Sequence, residues 1–139
     1  MSRALRNLIR LGKWQLDERR RTLGDMERMR ADFVSQAEGL EREVLAEQAR
    51  AASGDAGISY GAYATGVIAR RATIARSIEK IDGTIAEARE EVAEAFRELK
   101  KFEIALDRQR GREERIADRR AQNLMDELAI DMHRRRAGG

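Results

Sequence analysis

Apolar side chains recur along the first half of the chain at alternating spacings of three and four. A seven-residue frame captures them. Position a takes Ile9, Leu16, Leu23, Arg30, Ala37 and Val44; position d takes Leu5, Gly12, Arg19, Met26, Phe33, Leu40 and Glu47. Nine of these thirteen are apolar, and a sustained a/d repeat marks a helix that buries one narrow seam against another helix. The frame predicts a helix over 3–51, roughly 70 Å long at ~1.5 Å per residue. The repeat then stops. Three glycines fall within 54–61, alongside Ser53, Asp55 and Ser59. Glycine costs ~1 kcal/mol relative to alanine inside a helix, so the spacing predicts a turn over 52–60, with Ser59 as N-cap of a second helix.

The repeat restarts in the second half and predicts a helix over 61–134. Position a takes Ile78, Ile85, Val92, Leu99 and Leu106; position d takes Val67, Ile74, Ile81, Ala88, Ala95 and Phe102. Past Gln109 the frame drifts, and Ile116, Leu124, Leu128 and Met132 follow a spacing nearer to a plain helix. Two helices joined by a short turn fold back on each other. The expected fold is therefore all-α, one domain over 1–139, an antiparallel coiled-coil hairpin. Two registers compete, one heptad apart. The preferred one layers Leu16 with Phe102, Phe33 with Ile85, Leu40 with Ile78 and Val44 with Ile74, and it neutralises Glu47 against Arg71. Its competitor leaves Leu40 beside Arg71. In the preferred register the second helix outruns the first after about residue 115, leaving an overhang of roughly 30 Å at ~1.5 Å per residue.

Composition supports the same architecture. The 139 residues include no proline, 38% are charged and only 4% are aromatic, the mixture of long helices and coiled coils. There is no cysteine, so disulfide and thiolate chemistry are excluded. No run approaches the ~20 apolar residues of a membrane span, and the N-terminus forms no apolar core of a signal peptide. Residues 1–16 hold Arg3, Arg6, Arg10, Lys13 and no acid, as transit peptides do, yet they also belong to the heptad frame. The net charge of +3 is unevenly spread: residues 1–21 carry +5, residues 108–136 carry +3, and the stretch between carries −5. Glu87, Glu90, Glu91, Glu94 and Glu98 form an acidic ridge. The expected register sets Arg19, Arg20, Arg21 and Arg28 beside it, contacts that select orientation more than they stabilise.

Candidate chemistry is sparse. His133 is the only histidine, so a histidine metal site or catalytic triad lacks its parts. The glycines lack the Gly-Lys-Ser/Thr ending of a phosphate loop. Acid pairs on helix faces without a cleft are solvated charges. The expectation is no enzyme, no cofactor and no small-molecule substrate. Arg134-Arg135-Arg136 could hold nucleic acid or anionic lipid, but no stacking platform accompanies it, and nucleic acid is not the expected partner.

The apolar residues outside the seam say more. Leu8, Leu11 and Trp14 fall at g, c and f, where a two-helix fold offers nothing to cover them. Local packing explains them; so does a docking patch, because aromatic anchors among arginines typify interface hot spots. The overhang stripe equally suits a frayed tail, a second copy or a groove in another protein. Tyr60, Tyr63 and Ile68 gather near the turn, where packing and docking again compete.

Three segments carry a resemblance. They are Leu8-Ile9-Arg10-Leu11 with Asp17-Glu18-Arg19-Arg20-Arg21, the turn Tyr60-Gly61-Ala62-Tyr63, and Ala95-Phe96-Arg97-Glu98-Leu99-Lys100-Lys101 with Glu103. Together they resemble the FliJ proteins of the bacterial flagellar type III export apparatus. The resemblance implies a cytoplasmic protein, peripheral to the inner membrane at the flagellar base. It implies a stalk-like hairpin that enters the export ATPase ring by its open end, contacts the membrane-embedded export gate and binds export chaperones. The ATPase-facing end then includes Arg6, Leu8, Arg10, Leu11, Trp14, Arg112, Arg119, Leu124 and Leu128. A gate-facing surface falls near the turn, at Leu40, Val44, Tyr60, Tyr63 and Ile74. A generic coiled-coil scaffold or homodimer, and the equivalent stalk of a virulence secretion system, are the alternatives.

Overall fold

The computed structural model describes residues 2–54 and 59–138. It contains two helices, α1 (Ser2–Ala52) and α2 (Ser59–Gly138), packed against each other as an all-α hairpin with no strand among the described residues. Two features close α1. Arg50 stands in its last turn, where a cation faces the negative end of the helix dipole. The Ser53 N–H donates to the Arg50 carbonyl at 3.1 Å, the Gly54 N–H donates to the Ala51 carbonyl at 3.2 Å, and the Ser53 hydroxyl also donates to Arg50 at 2.7 Å. Gly54 has φ of 95°, the left-handed conformation that terminates helices and that glycine adopts without a Cβ clash. The rest of the expected turn, Asp55 to Ile58, and the Ser59 side chain assigned as a cap lie outside the described residues.

The buried hydrophobic side chains are Leu16, Leu40, Val44, Val67, Ile81, Ile85, Ala88, Leu99 and Leu106. Every one occupies a or d of the frame. No polar or charged residue is buried among the described residues. Of the remaining seam positions, only Arg19 and Arg71 are exposed. The contacts group into two units. One pairs the N-terminal stretch through Trp14 with α2 from Phe96 onward; the other holds Gln15–Ala95. In the second, Leu40, Val44 and Val67 form a core cluster with Tyr63 and Ile74 packed on it. In the first, Gly12 is buried against Leu99, so close that a Cβ there would lie 3.3 Å from a Leu99 methyl.

These contacts correct the expected register by one heptad. Gly12 meets Leu99 rather than Leu106, and Val44 clusters with Val67. The physical reason is the length of arginine. Arg71 does not need Glu47 across the seam: its guanidinium swings outward and makes two bonds to Glu41, at 2.5 and 2.8 Å, while Arg71 and Leu40 line the same groove. Arg30 leaves the seam in the same way and bonds Asp82 at 2.6 Å. Glu47 bonds Arg50 on its own helix. Long cationic side chains keep their stems on apolar surface and their heads in water, so a seam arginine tolerates an apolar partner. The arginines expected beside the acidic ridge divide between the two helices. Arg19 reaches Glu91 at 3.8 Å, whereas Arg21 and Arg28 turn to Glu18 and Asp25 on α1 itself.

Candidate docking surfaces

The unit containing Trp14 and the later part of α2 carries the first candidate surface. Leu8, Leu11 and Trp14 all face solvent, Trp14 at 61% exposure. Arg6 and Arg10 are exposed beside them on α1. A large indole left in water, flanked by cations that keep a desolvated neighbour attractive, is the composition of an interface anchor. On α2 the same unit exposes Phe96 and Ile104, which sequence reasoning missed. They fall at e and f of the frame, so the off-seam reasoning that singled out Trp14 applies to them equally. The Lys100 ammonium lies 5.4 Å from the Phe96 ring centre, within cation–π range, and bonds Glu103 at 3.2 Å.

Farther along α2 the seam ends. Ala4 lines an open groove of about 630 Å³ with Gln109, Arg112, Glu113 and Ile116. From Arg112 to Gly138 every residue is exposed. Arg119, Leu124 and Leu128 therefore stand free of any hydrophobic cover. Met125 and Ile130 join the exposed apolar set there. His133 is exposed as well, and among the described residues no group of His, Asp and Glu side chains stands where it could hold a metal ion.

The second candidate surface splits into a buried part and an open one. Leu40 and Val44 are 6% and 7% exposed and belong to the core cluster; their burial closes the hairpin. Ile74 and Tyr63 are half-buried against them. What faces solvent is an apolar groove of about 350 Å³, with Leu40, Ile74 and Ile78 in its lining and the Glu41–Arg71 pair beside them. The Tyr60 and Tyr63 ring centres are 6.2 Å apart, tilted by 40°, a favourable offset geometry. The Tyr63 hydroxyl is buried without a hydrogen-bond partner among the described residues. Burial pushes its pKa up, with Glu43 and Glu47 adding to the rise. Hydrogen bonding from Arg71 pulls the Glu41 carboxyl below its ordinary value, and the bond to Glu41 raises Arg71 in turn. Ile68, near the tyrosines in sequence, is exposed.

No helix among the described residues is long and apolar enough to cross a membrane. A family model described as the flagellar FliJ protein matches residues 1–138. No curated protein and no solved structure matches the chain.

Proposed function

The chain belongs to the flagellar FliJ protein family, and from that premise we propose a non-catalytic, stalk-like adaptor within the flagellar export apparatus. It docks on the export ATPase ring through Leu8, Leu11, Trp14 and the exposed later part of α2, and it touches the export gate near the turn. Export chaperones are further partners in this reading. The protein is held peripherally at the inner membrane through these contacts and not by a span of its own.

One observation carries the proposal: Trp14 and its leucine neighbours are exposed among arginines on a fold whose own seam is already filled. An apolar surface that the hairpin does not need is available for a partner. The gate-facing part rests on the groove lined by Leu40, Ile74 and Ile78, because the buried faces of Leu40 and Val44 are reserved for the core. The test is Trp14→Glu combined with Leu128→Glu, read by co-sedimentation with the assembled ATPase ring and by far-UV circular dichroism. Ring binding is expected to fall at least tenfold with helicity unchanged, since both positions are exposed. Unchanged binding rejects this surface as the ring contact.

A further inference from the structure

We propose that the exposed segment of α2 from Glu114 to Arg135 pairs with the same segment of a second copy, antiparallel and about a two-fold axis. The argument begins with spacing. The apolar residues on one face of this segment are Ala117, Ala121, Leu124, Met125, Leu128 and Met132, all exposed. Their separations read four, three, one, three, four. That series is the same from either end, so a second copy turned end for end presents the same pattern. A two-fold interface requires this self-complementarity.

Size and charge follow the same symmetry. Turning the second copy about the midpoint between Leu124 and Met125 sets Ala117 against Met132 and Ala121 against Leu128, a small side chain facing a large one at each layer. Such alternation keeps the interaxial distance even and fills the seam. At the ends of the stripe Glu114 meets Arg135. On the flank Arg120 lies beside Glu127 of the second copy. Each contact occurs twice, and a parallel arrangement creates none of them. Opposite charges at such positions select orientation and partner. A different occupant has to match this palindrome by coincidence, whereas a second copy matches it by construction. The pairing uses the same face of α2 as the proposed ring contact, so it describes the free chain, and its test in the absence of the ring succeeds or fails independently of that reading.

Sedimentation equilibrium of the full chain, from about 1 to 300 µM, tests the proposal, because this range covers dissociation constants in the micromolar region. A reversible monomer–dimer equilibrium is expected. Leu128→Glu should leave a monomer throughout this range at unchanged far-UV ellipticity. Glu114→Arg with Arg120→Glu should weaken the dimer about tenfold by placing like charges together at four contacts. Adding Arg135→Glu and Glu127→Arg should restore it to within about threefold, because the pairs are then reversed and again opposite. A wild-type chain that stays monomeric at 300 µM overturns the proposal. So does a dimer that survives Leu128→Glu, or one indifferent to the charge reversals, since its contacts then lie elsewhere.

Discussion

Arg71 holds a seam position and keeps its charge out of the seam, and the pH dependence of stability should report this. The Glu41 carboxyl is held below its ordinary value by the Arg71 hydrogen bond. A lowered folded-state pKa adds stability above the unfolded value, and that stability is lost as pH falls through the folded value. The wild type should lose more stability than Glu41→Gln between pH 7 and pH 3, read as urea midpoints. Equal losses remove Glu41 from the acid response. Tyr63 behaves oppositely. Its pKa is raised, chiefly by burial, so its contribution is complete below the unfolded value and is lost as pH rises through the folded one. Tyr63→Phe should abolish that alkaline loss. It should also raise the neutral-pH urea midpoint, because it removes a buried hydroxyl with no partner among the described residues. Two glycines give a contrast in packing. A Cβ at Gly12 already crowds Leu99, whereas one at Gly83 meets nothing within 4 Å. Gly12→Leu should cost about 1–3 kcal/mol through overpacking, and Gly83→Ala should stabilise by about 0.5–1 kcal/mol through helix propensity. Thermal melts of both variants check this.

Among the elements, the two helices and the frame that buries them were legible in sequence because heptad periodicity is local. Each of the nine buried hydrophobic side chains stands at a predicted a or d position. The register was not legible. Sliding α1 by seven residues along α2 keeps every seam residue in the seam and changes only its opposite number, so periodicity cannot decide. The decision fell to side-chain reach at Arg30 and Arg71 and to the close approach at Gly12, neither of which a pattern of apolar positions records. The exposure of the candidate residues was legible only in part. Leu8, Leu11 and Trp14 are exposed as the frame requires, and Leu124 and Leu128 as the expected overhang requires. Leu40 and Val44, assigned to a surface although they hold d and a, are buried as their frame positions demand. Val67 sits with them at 3% exposure, and Val67→Ala should lower stability by about 2 kcal/mol, the cost of a cavity in a filled layer. Urea denaturation measures it.

For the whole molecule, the hairpin connection ranks the seam contacts by how much chain lies between their members. Val44 and Val67 sit just either side of the Gly54 turn, whereas Gly12 and Leu99 are joined through most of α1 and the first half of α2. Closing a loop costs more entropy as it lengthens, and contacts near in sequence form early. The cluster of Leu40, Val44 and Val67 is therefore the expected nucleus, with Leu99 expected to dock after the barrier. In stopped-flow refolding, Val67→Ala should slow folding, while Leu99→Ala should leave the folding rate nearly unchanged and accelerate unfolding. On that expectation the Gly54 turn is also a clock: it sets the order in which the seam closes, beginning beside the left-handed backbone of Gly54.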